Sequence, residues 1–205
     1  MLTSSRQGEG KTVSSCNLAL TIAKESPDRA VLIDCDLRRP RVHAYLGLDR
    51  SPGLTELLRG QAQIDDVLRP TLLPNLMVIP CGAPTNQSGA LLRSPLMAKL
   101  LARLRRGNRW VLVDAPPTIS ISDSLVIGRM VDAALMVVEA NSTQRRKILH
   151  AKSTLVQGRV PLAGVIVTKQ LHKLPRYFDH YYEYYEPESV EQDRKGKGSR
   201  RHRRA

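Results

Sequence analysis

Lys11 follows a glycine-rich turn and precedes a hydroxyl residue, in the run Ser5-Arg6-Gln7-Gly8-Glu9-Gly10-Lys11-Thr12. The run satisfies GxxxxGKT at every fixed position except the first, where Ser5 replaces glycine. Glycines at positions 8 and 10 let the backbone curl so that amide N–H groups converge on phosphate oxygens, and a helix beginning near Thr12 adds its positive N-terminal end. In such a loop Gly8, Glu9, Gly10, Lys11, Thr12 and Val13 cradle a nucleotide. The Lys11 ammonium reaches the β- and γ-phosphates of ATP, and the Thr12 hydroxyl holds Mg²⁺. A glycine turn ahead of an ordinary helix would leave the same letters, so the reading needs support elsewhere in the chain.

Two apolar runs supply it by ending in acids. Val31-Leu32-Ile33-Asp34-Cys35-Asp36 puts two carboxylates at a strand's carboxyl end, where open α/β sheets bind ligands. If the strand continues between them, Asp34 and Asp36 share a face. One would accept a proton from an attacking hydroxyl and the other would hold metal-bound water; capping or turn roles are the competing reading. Trp110-Val111-Leu112-Val113-Asp114 is a second apolar run closed by an acid, the usual second metal anchor of a phosphate-loop ATPase, and Pro116 and Pro117 stop it. Lys11, Asp34, Asp36 and Asp114 are therefore the candidate catalytic residues. Thr12, Asp34 and Asp114 are the candidate metal ligands.

These residues need a scaffold that brings them together. Apolar runs at 30–33, 76–79, 110–113, 133–138 and 163–167 are continuous rather than alternating, as in a parallel sheet covered on both faces. Helical patterns at 12–25, 89–105, 123–130 and 142–157, with shorter ones at 41–46 and 54–58, separate them. The alternation predicts a doubly wound α/β fold, a mostly parallel sheet flanked by helices. Its first strand is truncated, since residues 1–3 are all that precede the loop. The pattern implies a piece of a longer chain or a misplaced start.

Composition narrows the class. No apolar run is long enough to span a bilayer, and the first residues lack the features of a signal peptide, so a cytoplasmic protein is expected. Cys16, Cys35 and Cys81 are scattered and read as idle thiols. The formal charge is +13, but seven Lys or Arg and no acid fall in residues 194–205, so the remainder carries +6. Such a run reads as a solvated tail, with attraction to anionic lipid as a secondary reading. It lacks the interleaved aromatics of a nucleic-acid reader, and no specific nucleic acid is expected. Six of the eight aromatic residues lie within 177–185, among Asp179, Glu183, Glu186 and Glu188. An amphipathic helix face through Tyr177, Tyr181, Tyr184 and Tyr185 is one reading, opposed by Tyr182 on the other side and by Pro187. The expected division is a core domain over 1–171, a tyrosine-rich segment over 172–193 and a basic tail over 194–205.

Taken together, the chain resembles the cytoplasmic domain of the bacterial tyrosine kinases of capsule and exopolysaccharide synthesis. The likeness rests on Thr3-Ser4-Ser5 with Gly8 through Thr12, and on Asp34-Cys35-Asp36-Leu37-Arg38-Arg39-Pro40 with His43. It continues through Gly53-Leu54 with Leu57 and Gly60, Val78-Ile79-Pro80 with Gly82, and Asp114-Ala115-Pro116-Pro117. The resemblance implies phosphate-loop ATPase folding and Mg-ATP chemistry, with Asp34 ahead of Asp36 as proton acceptor. It also implies autophosphorylation, in trans between subunits, of Tyr177, Tyr181, Tyr182, Tyr184 and Tyr185. Arg38 and Arg39 would contact phosphate or a neighbouring subunit. Arg6 stands where related ATPases carry a loop lysine that reaches across a dimer, and reads equally well as an exposed loop arginine. The implied partners are further copies of the chain, a membrane-embedded polysaccharide co-polymerase that activates it, and a protein-tyrosine phosphatase. Its place would be the inner face of the membrane, held there through a partner. The family's usual acidic-and-arginine oligomerisation motif would lie upstream of where this sequence begins, Thr168 stands where an adenine-reading Asn is usual, and the proline-rich run after Gly82 is thinned. Two rivals remain at this point: an ATPase switch of the chromosome-partitioning or septum-positioning type, and a nucleotide-binding regulatory subunit of an export complex.

Overall fold

The computed structural model describes residues 1–118 and 123–170. Segments 172–193 and 194–205 lie outside them, and with them the five candidate acceptor tyrosines. Seven strands form one sheet: β1 (Leu2–Ser4), β2 (Ala30–Asp34), β3 (Arg69–Pro70), β4 (Leu76–Ile79), β5 (Trp110–Asp114), β6 (Ala134–Glu139) and β7 (Leu162–Thr168). Their order is β3-β4-β2-β5-β1-β6-β7. Every pairing is parallel except that of β3 with β4. The connecting helices are α1 (Lys11–Glu25), α2 (Val42–Leu46), α3 (Leu54–Leu58), α4 (Ile64–Val67), α5 (Ser88–Leu92), α6 (Pro95–Gly107), α7 (Asp123–Gly128) and α8 (Arg145–Gln157).

Both faces of the sheet are covered, and the strands show it residue by residue. In β2, Val31 and Ile33 join the larger core cluster, while Ala30 and Leu32 join the smaller one. Successive side chains of a strand point to opposite faces, so the two clusters are the two sides of the sheet. Helix α1 covers one side with Cys16, Ala19 and Ala23, small residues that let it lie close. Helix α6 covers the other with Met97, Leu100, Leu101 and Leu104. At ~2 kcal/mol for each large apolar side chain buried, these four contribute on the order of 8 kcal/mol before chain entropy is counted.

The single helix expected over 89–105 is two. Pro95 has no N–H and its ring clashes with the carbonyl four residues back, so α5 stops at Leu92 and α6 restarts with Pro95 in its first turn. Helix α8 begins at Arg145 rather than 142, because Ser142 and Thr143 bond to Arg6 and Glu9 instead. The short α4 and the antiparallel β3 carry too few residues to show a period. The first strand is indeed short. It pairs with β6 at three positions and with β5 only through Leu2 and Asp114. The register nevertheless aligns the ends of β2 and β5, Asp34 lying opposite Asp114, and sets Asp114 against Leu2 at the start of β1, which runs on two residues further in the same direction. The loops after these three strands therefore open at one edge of the sheet. Among the described residues no helix is long and apolar enough to cross a membrane.

Candidate active site

The loop after β1 is braced before it meets any ligand. Thr3 Oγ1 donates to the Pro116 carbonyl at 2.7 Å, and the Thr118 N–H donates to the Ser4 carbonyl at 2.8 Å. Gly8 and Gly10 adopt φ of 84° and 86°, left-handed values that favour glycine. Ser5, the departure from the motif, is explained by Glu9. The Ser5 hydroxyl donates to both Glu9 carboxylate oxygens at 2.9 and 3.0 Å, and the Arg6 N–H and Thr143 Oγ1 donate to the same group. Glu9 is buried. Its side chain is therefore an internal strut, and Glu9, expected from the sequence to cradle the nucleotide, is absent from the pocket lining. From β7, Thr168 Oγ1 donates to the Glu9 carbonyl at 2.6 Å. Lys169 Nζ donates to the Gly8 carbonyl at 2.7 Å and pairs with Glu139 at 3.1 Å.

Lys11 opens α1 and points into the carboxylates. Its ammonium lies 3.3 Å from Asp36 Oδ2 and 3.3 Å from both oxygens of Asp114. Thr12 Oγ1 donates to Asp114 Oδ2 at 2.8 Å, and Ser15 Oγ donates to Asp114 Oδ1 at 2.9 Å. Burial alone would lower the Lys11 pKa, but the charges of Asp114, Asp36 and Asp34 outweigh it and the pKa is raised. The lysine is therefore firmly charged, as phosphate binding requires.

Asp34 and Asp36 are separated by their surroundings. The strand ends at Asp34, so the two do not share a face as a continued strand would require. Asp34 Oδ1 accepts the Asp36 N–H at 3.2 Å, and Oδ2 accepts the N–H groups of Arg41 and Val42 at 3.2 and 3.1 Å. It is fully buried and caps the loop that enters α2. Burial, then the neighbouring Asp114, raise its pKa to about 7. Asp36 instead touches Lys11 and lines the pocket, while its Oδ1 accepts the Arg39 N–H at 3.1 Å.

The pocket has a volume of about 800 Å³. Gly8, Gly10, Lys11, Thr12, Val13 and Asp36 line it, with Arg39, Arg41 and Tyr45 on the α2 side and Lys169 from the end of β7. The structure thus brings Lys11, Thr12, Asp34, Asp36 and Asp114 into one cluster. Arg6 is held within its own chain by Glu139 at 2.8 Å and by Ser142. Thr168 supports the loop through Glu9 rather than facing the pocket. Among the described residues no group of three or more His, Cys, Asp or Glu is arranged to hold a metal unaided. The three cysteines are buried and free, and burial pushes Cys16 and Cys81 up to about 12. Sequence reasoning missed Ser15, Thr143 and Glu139. Ser15 was findable, because it lies one helical turn beyond Lys11; Thr143 and Glu139 reach the loop only through the tertiary fold.

No family model matches the chain. It is 32% identical over 185 residues to the tyrosine-protein kinase wzc of Salmonella typhi, a match covering 90% of this chain and 26% of wzc. It spans about a quarter of that relative's length. Among solved structures, the kinase domain of VpsO superposes with a TM-score of 0.79 at 34% identity, over 83% of this chain and 84% of that domain. The kinase domain of the Escherichia coli tyrosine kinase ETK gives a TM-score of 0.78 at 27% identity, over 85% and 69%. The cluster of Lys11 with strand-end carboxylates and these likenesses agree, and the chain belongs to the bacterial tyrosine kinase family, of which it carries the kinase domain.

Proposed function

We propose that this domain transfers the γ-phosphoryl group of ATP to tyrosine, and that its own tyrosines 177, 181, 182, 184 and 185 are the acceptors. One observation carries the reading: the Lys11 ammonium, Thr12 hydroxyl and carboxylates of Asp36 and Asp114 meet beside a pocket floored by a glycine loop. The residues fit a magnesium nucleotide. A cation already sits between Asp36 and Asp114 in the form of the Lys11 ammonium, and the Thr12 hydroxyl stands against Asp114. Thr12 and Asp114 would hold Mg²⁺, which binds through one or two protein groups plus phosphate oxygens and would offset the phosphates' negative charge. Asp34, proposed from sequence as a ligand and as the base, has both oxygens engaged by backbone donors. Asp36, which faces the pocket, is the better proton acceptor.

In the transfer, a tyrosine oxygen forms a bond to the γ-phosphorus as the bond from that phosphorus to the bridging oxygen breaks. ADP leaves with the electron pair. A phenol of pKa about 10 is a poor nucleophile while protonated, so Asp36 orients the hydroxyl and takes its proton. Lys11 and the loop amides stabilise charge gathering on the transferring oxygens. In this reading the transfer runs in trans between copies. The reading extends to a role in capsule or exopolysaccharide synthesis, at the inner face of the membrane, beside an activating co-polymerase and opposed by a phosphatase.

Incubation of the purified chain with Mg-ATP, read by phosphotyrosine detection, tests this. Signal is expected from the parent and lost both in Lys11→Met and in a variant with the five tyrosines changed to phenylalanine. ATP turnover without phosphotyrosine would instead identify an ATPase switch, and neither activity would leave a regulatory nucleotide-binding subunit.

A further inference from the structure

The mouth of the pocket carries positive charge beyond that of Lys11 and the loop amides. After the buried Leu37, the chain exposes Arg38, Arg39 and Arg41 in a span of four residues. The span is held from below by the site's own acids, since Asp36 accepts the Arg39 N–H and Asp34 accepts the Arg41 N–H. Arg38 has an acid for company: its Nε lies 3.6 Å from Asp123, which Ser88 also holds at 2.8 Å. The other two do not. Arg39 donates to a neutral group, Gln7 Oε1, at 2.9 Å. The Arg41 guanidinium has no hydrogen bond or ion pair among the described residues. Both line the pocket, with Tyr45 beside them. Two guanidinium groups without carboxylates, on a rigid backbone at the entrance of a site, favour an anionic visitor.

The sequence contains a visitor of that description. Residues 177–188 hold five tyrosines, four acids and no Lys or Arg, in a chain whose total charge is +13. We infer that Arg39 and Arg41 form an acceptor-recognition ridge, selecting tyrosines flanked by carboxylates, and that its occupant is residues 177–188 of a second copy of this chain. The inference rests on the kinase reading above and adds to it a substrate class and the residues that choose it. Lys11 and the loop amides serve the nucleotide from the pocket floor. The arginines address the peptide from the rim, and their ion pairs, exposed to water, weaken with salt.

The test uses the full chain with its five tyrosines changed to phenylalanine, so that an added peptide is the sole acceptor. One peptide copies residues 176–188; the other replaces Asp179, Glu183, Glu186 and Glu188 by their amides. We expect kcat/KM to favour the acidic peptide by about tenfold at low salt, as two or three exposed pairs supply, and the preference to shrink as salt rises. Arg39→Gln with Arg41→Gln brings the ratio close to one. Because it compares two peptides on one enzyme, the ratio is insensitive to any change in nucleotide affinity. Arg41→Glu shifts preference toward a lysine-flanked peptide. A parent ratio near one, or a ratio that survives the double substitution, overturns the ridge while the kinase reading stands. If the parent chain phosphorylates neither peptide nor its own tail, the kinase reading falls and takes the ridge with it.

Discussion

Asp34→Asn removes a buried charge while keeping its shape, and its effect on stability depends on pH in a way the structure specifies. Asp34 is fully buried, and its carboxyl pKa rises from an ordinary 3.8 to about 7, mainly through burial and then through Asp114. Between those two values the folded chain keeps a proton that the unfolded chain has released. Stability therefore falls as pH rises through this window, with the whole penalty present above pH 7 and none of it below pH 4. At ~1.4 kcal/mol for each pKa unit, the ceiling is roughly 4 kcal/mol. The asparagine variant has no such slope. It carries a different cost. The carboxylate accepts three backbone N–H groups at 3.1 to 3.2 Å, and an amide that turns its NH₂ toward one of them forfeits about 1–3 kcal/mol at every pH.

The expected result is a crossing. By urea unfolding of the nucleotide-free chain at pH 5, 6, 7 and 8, the variant is less stable than the parent at the acid end. The gap closes and reverses toward pH 8. Parallel stability curves over that range would refute the reasoning, because they would mean that Asp34 folds with its proton affinity unchanged.

Asp36→Asn keeps the contact surface of the pocket and removes the proposed base, so single-turnover transfer to tyrosine should drop by roughly a hundredfold or more. Retention of wild-type rates would return the base to Asp34. Thr168→Val preserves volume but leaves the Glu9 carbonyl without its 2.6 Å donor. A loss of about 1–2 kcal/mol in thermal unfolding is expected, together with weaker fluorescent-nucleotide binding. Gly53→Ala would set a Cβ 2.4 Å from both the Pro80 carbonyl and the Gly82 nitrogen, backbone atoms that cannot step aside. Destabilisation of about 3 kcal/mol in urea is expected, and a cost below about 1 kcal/mol would show that the α3 loop is more pliable than its hydrogen bonds indicate.

Much of this site was legible because three of its parts sit at the ends of apolar runs. A strand that terminates in an acid needs no tertiary information to be recognised, and Asp34 and Asp114 fell where parallel strands must end. The order of the elements followed from continuous apolar runs broken by helical periods. The break before Pro95 was visible as a letter and overlooked under a stronger helical period. What the sequence concealed was orientation. Asp34 and Asp36 read as equivalent acids two residues apart, and only the end of β2 between them decides that one turns inward and the other toward the pocket. The supports of the loop were concealed for a different reason: Thr143, Glu139 and Thr168 lie more than a hundred residues from the groups they hold.

The inward turn of Asp34 bears on the chemistry without touching a reactant. By accepting the N–H groups of Asp36, Arg41 and Val42, one carboxylate fixes both ends of the segment that carries Asp36, Arg39 and Arg41. A proton acceptor must be held to within a few tenths of an ångström to act, and here the group that holds it is itself an acid with a raised pKa. Asp34→Asn should therefore slow transfer as well, by loosening Asp36 rather than by removing a base. The two causes differ in their signature. Loss of the base lowers the rate with every acceptor by the same factor. Loosening of the segment also erodes the preference for acidic peptides, because Arg39 and Arg41 move with it. Comparing the two acceptor peptides on Asp34→Asn and on Asp36→Asn therefore separates the positioning acid from the reacting one. Loss of rate with an intact acidic preference in Asp34→Asn, beside an unchanged rate in Asp36→Asn, would show that Asp34 takes the proton and that the pocket-facing Asp36 does not.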